Sequence, residues 1–219
     1  MITFNIASIP DRVDLLINTV NSIIDQVDFV NICLNNYESN PFEDYDKVNV
    51  VFSNNALGDG GKFLFASQVN GYYFTGDDDI IYPENYIKDT IKQLEKGYDI
   101  VTYHGRSFLH FPINSYYKSP AIRNRCLSQW EFTEPIHIGG TGVMAFHTDN
   151  FRPNIAGFKR KNMSDIWVSC QAKELDLKIW GLKHSGDYFT YQRPEWTIYD
   201  DKVNDCQYET DIVNKYFCK

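Results

Sequence analysis

Residues 72–82, which read YYFTGDDDIIY, are the stretch on which the fold prediction depends. Apolar residues on both sides predict that Asp77, Asp78 and Asp79 follow the end of a buried strand. Adjacent carboxylates raise one another's pKa, whereas a divalent cation favours their ionised forms. Oxygen ligands of this kind select Mg²⁺ or Mn²⁺, which typically complete their coordination with diphosphate oxygens. The triplet therefore predicts a metal site, and the alternative is a solvated turn that caps a helix opening at Pro83.

Apolar runs alternate with amphipathic segments through the first half of the chain. Residues 13–27 place apolar side chains at steps of three and four, which is typical of one helix face. Two further helices are predicted, one over residues 62–69 and one from Pro83 to Gly97. The predicted strands cover residues 2–8, 29–34, 48–52, 72–77 and 100–103. This alternation predicts an α/β fold in which helices flank a mostly parallel central sheet, with ligands beyond the carboxyl ends of its strands.

The second half of the sequence is less regular. Residues 106–137 mix aromatic residues, prolines and cations without a clean period, which favours a lid or an acceptor-binding loop. The predicted elements after it are a strand at 143–146, a helix starting near Ser164 and Asp165, a strand at 177–182 and a short helix near the chain end.

Length and composition predict one domain and exclude several classes of partner. The chain has 219 residues, so we expect a single domain with a nucleotide-binding half at about 1–103 and an acceptor-binding half at about 104–219. A net charge of -8 opposes binding to nucleic acid. No apolar run approaches the length of a transmembrane span, and the five cysteines contain no C-x-x-C pair. We expect a cytoplasmic protein with reduced thiols.

Four stretches resemble the GT-A glycosyltransferases, and family 2 in particular. They are residues 5–12 (NIASIPDR), 58–62 (GDGGK), the D-x-D-like 76–80 (GDDDI) and 164–167 (SDIW) behind a glycine-rich strand. Their order and separation cover about residues 1–185. A D-x-D triplet alone is a weak motif, but its place at a strand end and the later acidic helix start make the combination more specific. The resemblance implies a single Rossmann-like GT-A domain.

The same resemblance implies a binding site for a nucleotide sugar. Within the triplet it places Asp77 or Asp78 at the ribose, and Asp79, with Asp77, at the metal. Lys62 is expected to contact the donor, although a surface lysine is the alternative. The remaining donor contacts implied are Ser8, Ile9, Pro10 and Arg12 beside the base, and Asn35 or Asn36 at the base or ribose. Ordinary loop chemistry is the alternative for these residues, since Asn is common where strands end.

Asp165 and His184 are the candidates for the remaining chemistry. Asp165 matches the position at which inverting family 2 enzymes carry their base, and the alternative is a simple helix N-cap. His184 matches a region from which many GT-A enzymes supply a histidine to the metal. A hydrogen-bonded structural histidine is the alternative, and the competing candidates are His104, His110, His137 and His147. Gly139, Gly140 and Thr141 are expected to bring backbone close to the donor sugar or acceptor, and a bulged or tightly turned strand is the alternative. Arg123 and Arg125, with Tyr116, Tyr117 and Trp130, are candidates for holding the diphosphate or stacking on sugar rings.

These features together predict a metal-dependent transfer of a sugar from a nucleoside diphosphate sugar, a UDP-sugar by preference, to a carbohydrate hydroxyl. Inversion at the anomeric carbon follows from the family resemblance. Three alternatives remain open: a retaining GT-A enzyme, a sugar-1-phosphate nucleotidyltransferase and a noncatalytic carbohydrate-binding module. Residues 8–12 contain no glycine, which disfavours the phosphate loop of a nucleotidyltransferase.

Overall fold

Residues 1–218, which the computed structural model describes, contain thirteen strands and five α-helices. The strands are β1 Ile2–Ser8, β2 Phe29–Asn35, β3 Val48–Ser53, β4 Tyr72–Gly76, β5 Ile80–Ile81, β6 Ile100–Thr102, β7 Gly105–Phe108, β8 Ala121–Asn124, β9 Glu134–Ile136, β10 Ile138–Gly139, β11 Val143–His147, β12 Ile179–Gly181 and β13 Thr190–Tyr191. The α-helices are α1 Val13–Ile23, α2 Tyr86–Leu94, α3 Ser164–Glu174, α4 Ile198–Lys202 and α5 Gln207–Phe217. The prediction of an α/β fold is confirmed. No helix in this part of the chain combines the length and apolar character needed to cross a bilayer.

The central sheet has eight strands in the order β3-β2-β1-β4-β11-β6-β12-β9. Strands β3, β2, β1 and β4 run parallel, whereas β11 is antiparallel to both β4 and β6, and β9 is antiparallel to β12. The prediction of a mostly parallel sheet is therefore wrong, because the sheet is mixed. A parallel neighbour usually requires a helical crossover, and no α-helix separates β6 from β11. The two predicted halves of the chain share this sheet.

The first predicted helix is present, but the second is not. Helix α1 buries Leu16, Val20 and Ile23 as its apolar period requires, and it ends four residues early in a turn of 3-10 helix. The predicted helix over residues 62–69 is replaced by a 3-10 helix at Gly58–Phe63 and following turns. This segment lies very close to β2, since a Cβ on Gly61 would be 2.6 Å from Sγ of Cys33.

The irregular segment 106–137 contains ordered strands. Strands β7 and β8 form a second, three-stranded sheet with β10 in the order β10-β7-β8, and β9 joins the edge of the central sheet. Helix α3 begins at Ser164, as predicted, and contacts both β10 and α5. The predicted short helix near the chain end is the eleven-residue α5. The side chain of Asn214 on α5 exchanges two hydrogen bonds of 2.7 and 2.8 Å with the backbone of Ile113.

Candidate functional site

A cavity of about 460 Å³ opens beyond the carboxyl ends of β1, β2 and β4. Parallel strands commonly place ligand sites at this edge, because their loops converge there. The sequence-predicted residues that line it are Ser8, Ile9, Arg12, Asn35, Lys62, Asp77, Asp78, Asp79, Tyr116, Tyr117, Gly140, Thr141 and Asp165. The structure therefore brings the acidic triplet and the candidate base into one cavity.

Asp78 joins the triplet to the loop after β1. Its carboxylate accepts a 2.6 Å hydrogen bond from the Ser8 hydroxyl and a 2.8 Å bond from the guanidinium of Arg12. Burial raises the pKa of Asp78, while Arg12 and Ser8 oppose that rise. Both carboxylate oxygens are engaged, which makes Asp78 an anchor for Arg12.

Lys62 is a buried cation within the site. Its side chain is only 2% exposed and lies 2.5 Å from Oδ1 of Asp77, whose own side chain is 45% exposed. Burial is the largest influence and opposes ionisation of Asp77, but the charge and hydrogen bond of Lys62, together with Arg12 and His104, outweigh it and lower the pKa of Asp77. The surface-lysine alternative is excluded by this burial. Gly142 permits the arrangement, because a Cβ there would lie 2.1 Å from Oδ2 of Asp77.

Asp79 carries the most strongly perturbed carboxylate of the triplet. Burial, followed by the charges of Asp77 and Asp78, raises its pKa to about 7. Arg12 donates to Oδ2 of Asp79 at 3.2 Å, so one guanidinium serves two carboxylates. The triplet therefore holds more negative charge than its cations neutralise, and a further cation would favour the ionised form of Asp79.

The donor set suits a hard divalent cation that takes few protein ligands. No three side chains of His, Cys, Asp or Glu within residues 1–218 form a ready-made metal site. However, one oxygen of Asp77 and one of Asp79 lack a hydrogen-bond partner in this described part of the chain. Mg²⁺ is commonly bound by one or two carboxylates together with substrate phosphates and water. Asp77 and Asp79 fit that pattern.

Asp165 lies in the first turn of α3, where Thr141 holds it. Its Oδ1 accepts bonds of 2.7 Å from both the backbone N–H and the hydroxyl of Thr141. Asp165 is inside the helix and makes no capping bond, so the N-cap alternative does not describe it. The buried carboxylate of Asp59 instead accepts from the backbone N–H and hydroxyl of Ser164. Oδ2 of Asp165 has no hydrogen-bond partner among residues 1–218.

Seven of the predicted residues do not line the cavity: Pro10, Asn36, Arg123, Arg125, Trp130, Gly139 and His184. His184 is buried, and its Nε2 lies within hydrogen-bonding distance of two oxygens. These are the carbonyl oxygen of Tyr103 at 3.1 Å and the amide oxygen of Asn124 at 3.2 Å. This is the structural alternative for His184, and the ring is not among the groups around the triplet. Thr141 lines the cavity, but its bonds give it the role of orienting Asp165.

Several cavity residues were given no role by the sequence patterns. Asp59 lies in the 3-10 helix, His104 lies between β6 and β7, Arg106 lies on β7 and Glu209 lies on α5. Burial raises the pKa of Asp59 to about 6, with Lys62 and Ser164 opposing the rise. Asp59 belongs to the GDGGK stretch that resembles the GT-A glycosyltransferases, but no role was predicted for its side chain. The other three depend on contacts between distant segments.

A chain segment from the tail closes part of the cavity. Trp196, Tyr199 and Glu209 line it, although the sequence indicated only a polar, aromatic tail. The guanidinium of Arg12 donates a 2.5 Å bond to the carbonyl oxygen of Trp196, which links this segment to the triplet. Exposed aromatic side chains at a cavity mouth suit stacking against sugar rings.

We compared the chain with models of protein families and with curated proteins. No protein-family model matches the chain, and no curated protein matches it significantly.

Proposed function

We propose that the protein is a metal-dependent glycosyltransferase of the GT-A type. In this proposal it moves a sugar from a nucleoside diphosphate donor, a UDP-sugar, to a carbohydrate hydroxyl with inversion. The observation that carries the proposal is the single cavity that contains both the Asp77–Asp79 triplet and the isolated oxygen of Asp165. A carboxylate cluster at a strand end is suited to a diphosphate with its cation, and a separate carboxylate is suited to act as a base.

The donor is assigned to the side of the cavity built from β1, β2 and β4. Ser8, Asn35 and Asp78 offer polar groups for the ribose and base, and all three are buried at strand ends. Asp77 and Asp79 would hold Mg²⁺ or Mn²⁺, which would stabilise negative charge on the departing diphosphate. The cations of Arg12 and Lys62 are already fixed by the triplet and add positive charge to the same region.

Asp165 is assigned the proton transfer from the acceptor hydroxyl. Thr141 fixes Oδ1 through two hydrogen bonds, which leaves Oδ2 to accept the proton. The hydrogen bonds also orient the carboxylate before the acceptor arrives, so less ordering is needed in the reaction. A general base of this kind commonly contributes about 10² to 10⁴ in rate.

The proposal is tested by thermal unfolding with nucleotides and nucleotide sugars, with Mn²⁺, with Mg²⁺ and with chelator. UDP compounds at about 100 times their Kd should raise the Tm by about 5 °C or more. The increase should require the cation, because diphosphate and carboxylates otherwise repel each other.

The matched variants are Asp79→Ala in the cavity and Asp44→Ala on an exposed loop. Asp79→Ala should lose the cation-dependent increase and transfer activity while remaining folded, whereas Asp44→Ala should behave as the wild type. Equal UDP affinity in excess chelator and in Mn²⁺ would contradict the proposal. Normal metal-dependent transfer by Asp79→Ala would remove that residue from the metal site.

A further inference from the structure

Three arginines lie together beside the cavity and are not used by the proposed chemistry. Arg106 on β7 is directly opposite Arg123 on β8 in the antiparallel pair. Arg125 follows β8 directly, and it is near enough that its charge, after burial and the charge of Arg106, contributes to lowering the pKa of Arg123. We call Arg106, Arg123 and Arg125 the arginine face. Arg106 also lines the cavity.

The positive charge of the arginine face is not compensated by ion pairs. Within residues 1–218, no carboxylate oxygen lies within 4.0 Å of any of the three guanidiniums. Burial, followed by the positive charges of Arg106 and Arg125, lowers the pKa of Arg123. Like charges at directly opposed strand positions are destabilising, and the chain as a whole carries a net charge of -8. An anion would remove this local repulsion.

Two of the guanidiniums are already oriented. Arg106 donates a 2.8 Å bond to the carbonyl oxygen of Tyr116 and stacks 4.3 Å from the centre of its ring. Arg123 donates to the carbonyl oxygens of Tyr117 at 2.9 Å and Ser119 at 3.3 Å. Each guanidinium has five N–H donors, so these bonds leave others free for a ligand. Such fixed, planar donors bind phosphate and carboxylate groups well.

The arginine face adjoins the segment that holds the candidate base. Strands β7 and β8 belong to the sheet with β10, and Thr141, which holds Asp165, follows β10 by two residues. His104 lies near all of these groups: burial lowers its pKa, Asp165 and Asp77 oppose that change, and Arg106 and Arg125 reinforce it. The donor side has its own cations in Arg12 and Lys62.

We propose that the arginine face binds an anionic group, a phosphate or a carboxylate, carried by the sugar acceptor. This inference rests on the proposed function, because it assigns the acceptor to the side of Asp165. The acceptor class is then a phosphorylated sugar or a uronic acid, and a neutral sugar is a poorer ligand.

The test is calorimetric titration of wild-type protein saturated with UDP and Mg²⁺. The probes are glucose 6-phosphate, glucuronate and glucose, which share a ring and differ in charge, and inorganic phosphate. We expect at least one anionic sugar to bind at least tenfold more tightly than glucose. The preferred anionic sugar identifies the phosphate or the carboxylate as the source of charge. Affinity should fall between 0.05 and 0.5 M NaCl, because salt screens exposed charges.

The variant that tests the arginine face is Arg123→Gln with Arg125→Gln, which removes two charges outside the residues assigned to donor or base. It should lose at least fivefold in affinity for the preferred anion and keep its UDP affinity within twofold. Lys88→Ala, on the exposed surface of α2, is the charge control and should change neither affinity.

Three results would overturn the inference. They are equal binding of glucose and both anionic sugars, no binding of any anionic probe at 10 mM, and loss of UDP affinity in the double variant. The last result would assign the arginines to the diphosphate. If wild-type protein fails to bind UDP, the titrations are repeated without nucleotide. Charge-dependent binding that the double variant loses would then refute the proposed donor and retain the anion site.

Discussion

Asp165 shows how one side chain can be held firmly while one of its oxygens stays free. Both hydrogen bonds from Thr141 end on Oδ1, and the Thr141 hydroxyl lies 2.8 Å from that of Ser164. The hydroxyl of Ser164 is bonded in turn to Asp59. A chain of short polar contacts thus connects the 3-10 segment at Gly58–Phe63 with the first turn of α3.

We predict that Asp165→Asn keeps donor binding and lowers turnover by about 10² to 10⁴. The amide oxygen can still accept from Thr141, so the fold is retained, but the amide is a far weaker base. Donor affinity, Tm and single-turnover rate should be measured on one preparation. Glu174→Gln, at the exposed end of the same helix, serves as control and should leave the rate unchanged. Near-wild-type turnover of Asp165→Asn would favour a retaining mechanism.

At the scale of elements, a row of asparagines crosses the parallel strands. Asn5, Asn31 and Asn49 occupy paired positions on β1, β2 and β3. The amide of Asn31 donates to Asn5 at 2.8 Å, and that of Asn49 donates to Asn31 at 3.1 Å. Asn5 donates in turn to the carbonyl oxygen of Phe74 on β4 at 2.8 Å. Buried amides are tolerated here because each one has a partner.

We predict that Asn31→Val lowers the free energy of unfolding by about 1–3 kcal/mol, because it leaves the buried Asn5 without one donor. Urea unfolding followed by tryptophan fluorescence measures the change. Asn49→Val is the matched control on the same row. Asn49 is exposed, so water can replace part of the lost hydrogen bonding and the free energy of unfolding should fall by less. If both substitutions lower the free energy of unfolding equally, burial of the hydrogen bond does not increase its contribution to stability.

For the whole molecule, the dominant feature of the cavity is its charge. Six carboxylates and three permanent cations line it: Asp59, Asp77, Asp78, Asp79, Asp165 and Glu209 against Arg12, Lys62 and Arg106. The groups with the clearest consequence for stability are Asp59 and Asp79, whose pKa values are raised to about 6 and about 7. Between their unfolded pKa, about 4, and these values, the folded protein binds more protons than the unfolded chain.

We predict that the free energy of unfolding of metal-free protein contains a contribution from Asp79 that falls as pH rises from about 4 to about 7. The lowered pKa values of His104 and His137 act in the opposite direction. The difference between wild type and Asp79→Asn isolates the carboxylate. Urea unfolding at pH 5, 6, 7 and 8 provides the measurement. Asp44→Asn should follow the wild type at every pH.

Mn²⁺ should stabilise the wild type more at pH 8 than at pH 5, because Asp79 is then ionised. A difference in free energy of unfolding between wild type and Asp79→Asn that does not change with pH would contradict the assignment.

The features that arise from local patterns could be predicted from the sequence. The apolar period of α1, the start of α3 at Ser164 and the place of Asp77–Asp79 after β4 were all predicted. Each depends on residues that are close in the chain, because helix and strand periods record which side of a local segment is buried.

The sheet order and the partners of the charged groups could not be predicted, because they depend on contacts between distant segments. The reversal of β11, the pairing of Arg12 with Asp78 and the hold of Thr141 on Asp165 join segments separated by at least 24 residues. The sequence around His184 is compatible with a metal ligand and with a structural histidine. Only its contacts with Tyr103 and Asn124 distinguish the two. Local periodicity specifies that a face is buried, whereas the identity of the groups it meets is fixed by how distant strands pack together.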